Sequence, residues 1–277
     1  MSQRLREVVL PNTMTVSCLQ RRGVRMIYRQ VQAYFKHGIE LTEGDIVFDV
    51  GANIGLFTLL AYDRAKRDVT VYAFEPIPAL FEALQQNARR YDAERLKVFP
   101  YGLSKEAGTV TFAYYPRSSV LSTAYGAGLK DEIMAALLER RDQVPWLRWI
   151  APRRLCVWLL DRLSTRVLQV EPVVCKMATL SSILRQHSVR RIDLLKVDVE
   201  KSELDVLAGI DDADWPKIKQ VVVEVHDIHR RVAQVTTLLR ERGFSAITVD
   251  PSVPIMHIFN IYARRQTPPA QPPATSI

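Results

Sequence analysis

Residues 45–55 read Asp-Ile-Val-Phe-Asp-Val-Gly-Ala-Asn-Ile-Gly (DIVFDVGANIG), and this stretch decides the fold. The apolar run DIVFDV has the length of a buried strand, and Gly55–Arg64 continues as a helix. Gly51 and Gly55 stand where a strand turns directly into a helix. There a missing Cβ lets the backbone approach a ligand and lets the helix pack closely on the strand. Outward from this point the rhythm repeats. Val69–Phe74 (VTVYAF) predicts a second strand and Pro78–Tyr91 a second helix, with Pro near its start and Leu80, Leu84 and Ala88 on one face. Leu96–Pro100 predicts a third strand, and Gly108–Tyr115 alternates like an antiparallel or edge strand.

The pattern resumes at Leu180–His187, a helix that Thr179 can cap. Strands are predicted at Ile192–Val199 and Lys219–Val225, with a short helix at Glu203–Ala208 between them. Asp227–Arg242 is amphipathic and predicts one helix ended by Gly243, followed by strands Phe244–Val249 and His257–Ala263 able to pair as a hairpin. Strands alternating with helices predict an α/β fold, a parallel sheet with helices on both faces and an antiparallel strand at the end. The catalytic body is expected over residues 44–265, preceded by a basic extension or cap at 1–43 and followed by a Pro-rich, disordered tail at 266–277. Residues 127–170 interrupt the rhythm and predict an inserted helical cap holding Trp146, Trp149 and Trp158. There is no internal repeat.

The chain has 277 residues, of which 48% are hydrophobic and 25% charged, which excludes a disordered or fibrous protein. No run of about 18 apolar residues is present, so no membrane span is expected. Cys18, Cys156 and Cys175 are odd in number and far apart, which argues against a disulfide framework or a clustered zinc site. With no stretch of signal-peptide character at the N-terminus, a cytoplasmic location is expected. The net charge of +8 is uneven: residues 1–39 carry +6, residues 139–166 carry +4, and the body outside these and the two Arg at 264 and 265 is mildly acidic at −4. That distribution argues against a surface that grips nucleic acid throughout.

Glu75 ends the second strand, 20 residues after Gly55, where a carboxylate can take the two hydroxyls of a ribose. Two cofactors compete for such a site. A dinucleotide calls for Gly two residues after Gly51, and Asn53 stands there; it also gains nothing from the carboxylate of Asp49 beside its pyrophosphate. S-adenosylmethionine has no phosphate and carries an amino group that an acid favours, so it fits better. The plain alternative is that Gly51 and Gly55 only make a tight turn, against which stands Glu75 in register.

Two blocks of the sequence resemble the FkbM family of S-adenosylmethionine-dependent methyltransferases. One is GDIVFDVGANIGLFTLLA (Gly44–Ala61) with AFEPIPALFEALQQN (Ala73–Asn87); the other is IDLLKVDVEKSELDVLAGI (Ile192–Ile210) with WPKIKQVVVEVHD (Trp215–Asp227). The resemblance implies a class I methyltransferase fold, a Rossmann-like seven-stranded sheet with a reversed last strand. It implies methyl transfer to an oxygen of a small molecule such as a polyketide, a macrolide-like product or a sugar. By position it places Asp49, Gly51, Asn53 and Gly55 along the methionine part of the cofactor and Glu75 on its ribose. Pro76 and Ile77 fall near the adenine, with Gly102 and Leu103 along its other edge. The sequence departs from the family at one point: Lys201 and Ser202 follow Asp198-Val199-Glu200, where the family usually has Gly.

Methylating an alcohol requires a base, and ligands of open parallel sheets bind at the carboxyl ends of the strands. Asp198 and Glu200 end one strand; Glu224, His226 and Asp227 end the next. His226 is the candidate base, its ordinary pKa being about 6.5. Glu224, two residues back, faces the same side, and Asp198 is read as orienting the acceptor or the cofactor amine. The plain alternatives are a His satisfied by its neighbours and a loop or capping carboxylate. Asp198, Glu200 and Glu224 are also oxygen ligands of a kind that suits Mg²⁺, although no metal is expected.

The stretch 139–166 has two readings: a cap helix with its Trp and Leu turned inward, or a surface for an acyl chain, an acyl carrier protein or a membrane. The expected partner is a hydroxylated small molecule. A nucleic-acid methyltransferase is the alternative from another class. Against it, no Asn/Asp-Pro-Pro-aromatic signature follows the fourth strand, and aromatics do not interleave with the basic clusters.

Overall fold

The computed structural model describes residues 4–116, 170–253 and 257–265. In chain order the strands are β1 (Arg6–Val9), β2 (Thr15–Cys18), β3 (Asp45–Val50), β4 (Val69–Phe74), β5 (Leu96–Phe99), β6 (Gly102–Leu103), β7 (Gly108–Tyr114), β8 (Glu171–Ala178), β9 (Ile192–Val197), β10 (Ile218–His226), β11 (Ala246–Val253) and β12 (Ile258–Arg264). The helices are α1 (Val24–Gln32), α2 (Leu56–Arg64), α3 (Pro78–Tyr91), α4 (Leu180–Gln186), α5 (Glu203–Ala208) and α6 (Arg231–Glu241).

Seven strands form one sheet in the order β11-β12-β10-β9-β3-β4-β5. β5, β4, β3, β9 and β10 run parallel, and β12 runs antiparallel to both β10 and β11. Because side chains alternate along a strand, β3 and β4 feed two cores. Val47 and Val71 face the side covered by α2 and α3; Phe48, Val50, Tyr72 and Phe74 face the side that holds Leu184, Val206 and Leu239. Both faces are covered, which is why these strands read as apolar runs rather than strict alternation. The expected parallel sheet and its reversed final strand are both present. Thr179 caps α4, its Oγ1 accepting from Ser182 N at 3.1 Å.

The N-terminal segment, read as an extension or cap, is built into this architecture. α1 packs on α2, so α2 is buried from Leu56 to Tyr62 and shows no polar face. Asn87 of α3 holds strand β2: its Oδ1 accepts from Ser17 N at 2.6 Å, and its Nδ2 donates to Ser17 O at 3.0 Å and to Ile54 O at 2.8 Å.

One expectation needs correction. The helix read over 227–242 is not continuous: a 3₁₀ turn at Ile228–Arg230 precedes α6, with His229 and Arg230 at φ 56° and 62°. The left-handed pair turns the chain out of β10, and Asp227 Oδ1 then accepts from Val232 N at 3.1 Å. Strands β1, β2, β6 and β8 and helix α1 lie where the sequence predicts no element. β7 is antiparallel as expected, but its partner β8 lies far along the chain, so no local turn signal announces the pairing. The helical insert at 127–170 falls almost wholly outside the described residues, and the tail at 266–277 wholly so. Among the described residues no helix is long and apolar enough to cross a membrane. Cys18 and Cys175 are buried and free.

Candidate active site

The carboxyl ends of β3, β4, β9 and β10 converge, and the turn after β3 is the centre of the arrangement. Gly51 has φ 77°, and a Cβ there would lie 1.9 Å from the carbonyl oxygen of Asp198. Gly55 has φ 88°, with Leu84 Cδ1 2.7 Å from a Cβ. Both glycines are therefore required by conformation, and Gly51 by space as well, since the atom its Cβ would meet is backbone. Gly51 N and Ala52 N donate to Phe74 O at 3.1 and 3.0 Å, which folds the turn over the end of β4.

Glu75, at the tip of β4, is buried. Its Oε2 accepts from Asn53 N at 2.9 Å and its Oε1 from Ile77 N at 2.9 Å. Burial pushes its pKa up to about 7 despite those two donors. Each oxygen holds one backbone N–H and keeps capacity for a further donor. Pro76 and Gly102 stand together, Pro76 Cγ lying 3.4 Å from a Cβ built on Gly102. Ile77 and Leu103 turn their side chains into the two cores, so their contribution to the rim is backbone.

Asp49, read as an acid facing the cofactor amine, is fully buried and committed elsewhere. Thr58 Oγ1 donates to its Oδ2 at 2.6 Å, and Lys196 Nζ lies 3.0 Å from its Oδ1. Lys196 was not singled out from the sequence. It is a buried ammonium that also donates to Gly51 O at 2.8 Å and lies 3.6 Å from Asp198 Oδ2. Burial alone would lower its pKa, but Asp49 and Asp198 hold it above the usual lysine value. Its signal in the sequence was a cation inside a buried strand, β9, whose other charge is Asp193.

Asp198 and Glu224 are brought together by a group from the far N-terminal segment. Tyr34 Oη lies 2.9 Å from Asp198 Oδ2 and 3.3 Å from Glu224 Oε2. Gln30 Nε2 and Ser252 Oγ also donate to Glu224 Oε2, at 3.4 and 3.2 Å. Burial, with the charges of Asp198 and Glu200 beside it, raises the Glu224 carboxyl well above the usual range. Glu224 is 4% exposed, whereas the side chain of Asp198 is 26% exposed. Of the two, Asp198 is the acid a ligand can touch.

His226 does not sit as a free base. Its Nε2 is 3.2 Å from Glu200 Oε2 and its Nδ1 is 3.3 Å from Glu203 Oε1, so both ring nitrogens face carboxylates. Burial works to lower its pKa, yet the hydrogen bonds and charges of Glu200 and Glu203 carry it up to about 10. A ring already protonated at neutral pH cannot accept the acceptor's proton, and this corrects the base assignment. Among the described residues no group of three His, Cys, Asp or Glu side chains is placed to hold a metal ion.

The departure at Lys201 has a physical reading. Glu200 and Lys201 have φ 47° and 76°, in the left-handed region where glycine is unstrained. Lys201 is held there by its N–H on Glu203 Oε1 at 2.9 Å and by Arg231 Nη1 on its carbonyl at 2.7 Å.

This sheet order with one reversed strand, and a glycine turn and a buried acid at adjacent strand tips, defines a class I methyltransferase. Residues 49–246 match the sequence profile of the methyltransferase FkbM domain. The chain belongs to the FkbM methyltransferase family and is an S-adenosylmethionine-dependent methyltransferase. It is 37% identical over 270 residues to the 31-O-demethyl-FK506 methyltransferase FkbM of Streptomyces tacrolimicus, covering 96% of this chain and 99% of that protein. It is 34% identical over 272 residues to the AMB antimetabolite synthetase AmbE of Pseudomonas aeruginosa, covering 94% of this chain but 12% of that much longer protein. The crystal structure of a methyltransferase FkbM from Methylobacillus flagellatus KT shares the fold, with a TM-score of 0.54 at 17% identity over 84% of this chain and 47% of that one.

Two outcomes follow from the His226 and Lys201 geometry. The His226 value of about 10 lies above the ordinary 6.5, so the ion triad stabilises the fold fully below about pH 6.5 and loses that contribution as pH rises through 10. His226→Ala removes the imidazolium from between Glu200 and Glu203, leaving Glu203 with Arg231 at 3.6 Å, and is expected to lower the unfolding free energy by about 1–3 kcal/mol at pH 7. A urea midpoint equal to the parent's would refute the triad. Lys201→Gly relieves a left-handed side chain and is expected to raise stability by about 1 kcal/mol, read from the same denaturation curves; a fall in midpoint would mean the side chain, not the backbone, matters there.

Proposed function

We propose that this enzyme methylates a hydroxyl oxygen of a small molecule, a polyketide or macrolide-like product or a sugar. The observation that carries the reading is Asp198, a reachable carboxylate backed against the glycine turn, its oxygen fixed by Tyr34 at 2.9 Å and Lys196 at 3.6 Å. The name of the Streptomyces relative, which refers to a 31-O position, supports an oxygen acceptor.

The chain's own groups fit the cofactor. In this reading the Gly51–Gly55 turn with Asn53 borders its methionine part, and the spare acceptor capacity of Glu75 takes its ribose diol. Pro76, Ile77, Gly102 and Leu103 form the adenine side. When bound, S-adenosylmethionine supplies a methyl group on a sulfonium leaving group. The protein's work is to hold the acceptor oxygen in line with that methyl and to remove the hydroxyl proton as the bond forms. Asp198 takes the proton. Lys196, tied to Gly51 O and Asp198 together, keeps the cofactor turn and the base at a set spacing. His226, as an imidazolium between Glu200 and Glu203, holds the rim of the mouth.

The basic stretch 139–166 is the segment we assign to delivery of the acceptor, through an acyl carrier protein or an anionic membrane surface. The synthetase relative, in which a sequence like this one is a small part of a long chain, is consistent with an acceptor held on a larger assembly.

Hydroxyl donors favour the ionised form of Glu75, so affinity for S-adenosylhomocysteine is expected to rise between pH 6 and 8 and then level off. Glu75→Gln is expected to weaken binding by about tenfold or more and to remove that pH dependence, both measured by calorimetry. An unchanged Kd would take the ribose role from Glu75. The function itself is tested by incubating the enzyme with methyl-labelled cofactor and a panel of free and carrier-bound alcohols, sugars and RNA. Mass spectrometry is expected to find the label on oxygen of a small molecule. Label on a base of RNA, with activity falling steeply with salt, would sink the reading.

A further inference from the structure

The family match starts at residue 49 and ends at 246, yet the groups closing over Glu224 come from outside it. Gln30 and Tyr34 lie before that span and Ser252 after it. Tyr34 is 1% exposed, and its ring lies edge-on to Phe57 with centroids 5.8 Å apart. Its hydroxyl sits between a carboxylate that a ligand can reach and one that is sealed. One phenol proton can serve only one of these two acids at a time, while the phenol oxygen can accept a proton from the other. That is the geometry of a hand-over.

We propose that Tyr34 is a positioning residue of the methyl-transfer site that passes the abstracted proton from Asp198 to Glu224; the proposal rests on the reading of Asp198 as base. As the bond from the methyl carbon to the acceptor oxygen forms and the bond from sulfur to that carbon breaks, the acceptor's O–H proton goes to Asp198 Oδ2. That carboxyl then gives the proton to the Tyr34 oxygen while the phenol's own proton moves to Glu224 Oε2. One proton has moved from acceptor to Glu224, Asp198 is again a carboxylate, and Tyr34 is unchanged.

The surroundings agree with such a role. Burial and the two flanking acids raise the Tyr34 pKa well above the usual phenol value, so the side chain stays neutral and transfers protons without storing charge. Lys196 of β9 stands 5.8 Å from its ring centroid and 3.6 Å from Asp198 Oδ2. Glu200 and His226 act on Glu224 through their charges. α1 supplies the neutral Gln30, α2 the apolar Phe57, and β11 the neutral Ser252. Lys196 is the cation that balances Asp198; Glu224, its pKa raised to about 8, takes up the proton in the pH range where it is ionised.

Tyr34→Phe removes the hydroxyl and keeps the ring packing. The full chain saturated with S-adenosylhomocysteine is titrated by ¹³C NMR of its carboxyl groups, with the Glu224 signal assigned by its loss in Glu224→Gln. Loss of a donor to the carboxylate is expected to move the Glu224 midpoint up by about half to one unit in Tyr34→Phe. With an acceptor found in the panel, kcat is expected to fall by about tenfold or more with KM unchanged. The rate plotted against the fraction of D₂O is expected to change from curved to linear. Should Tyr34→Phe fail to unfold cooperatively, 3-fluorotyrosine at position 34 gives the second reading: a more acidic phenol moves the Glu224 midpoint down. An unmoved Glu224 midpoint, or an unchanged kcat and D₂O curve, overturns the proposal. If no alcohol in the panel is methylated, the functional reading fails, while the titration still decides whether Tyr34 shares its proton with Glu224.

Discussion

The contact between Lys196 and Asp49, 3.0 Å long and cut off from water, is the constraint on which the site depends. Two charges removed from solvent are costly unless they face each other closely, and here they lie 3.0 Å apart. Thr58 completes Asp49, and the carbonyl of Gly51 and the carboxylate of Asp198 complete Lys196. The pair thus ties the end of β9, next to Asp198, to the glycine turn after β3. Gly51, which has no room for a side chain against Asp198, allows the two to meet. Such a pair contributes less to net stability than to keeping one arrangement, since an apolar pair of equal volume would fit the layer but hold nothing at its edge.

Around that fixed centre the acids divide by burial. Glu75 and Glu224 are pushed toward neutrality because burial outweighs their donors. Glu200 and Glu203 flank the ring of His226, and Arg231 also faces Glu203. Asp198, with partial access to water, is the member of the group that can meet a substrate. Environment gives several similar side chains separate tasks within one small volume.

What could be read in the sequence was what depends on neighbours along the chain. The glycines of the turn, the acid one strand later and the buried runs of β3, β4 and β10 follow from local backbone demands and from period. Lys196 reads in the sequence only as a second charge in β9 beside Asp193, because its partner Asp49 lies on another strand. The pairing of Tyr34 with Asp198 and Glu224 spans 164 and 190 residues, beyond any local pattern. The ordinary imidazole pKa that makes His226 a candidate base does not hold in the fold, because Glu200 and, from α5, Glu203 flank its two ring nitrogens. β8 escaped for the same reason as Tyr34: its partners are distant in the chain.

The closure over Glu224 has a consequence for synthesis of the protein. Gln30 and Tyr34 leave the ribosome early, whereas Ser252 and the strand that seats it are among the last described residues to be made. Until then β10 lacks its antiparallel neighbour, and the carboxylate that β10 carries faces water. A nascent chain that has already made the glycine turn after β3 therefore still lacks the last of the groups that close over Glu224.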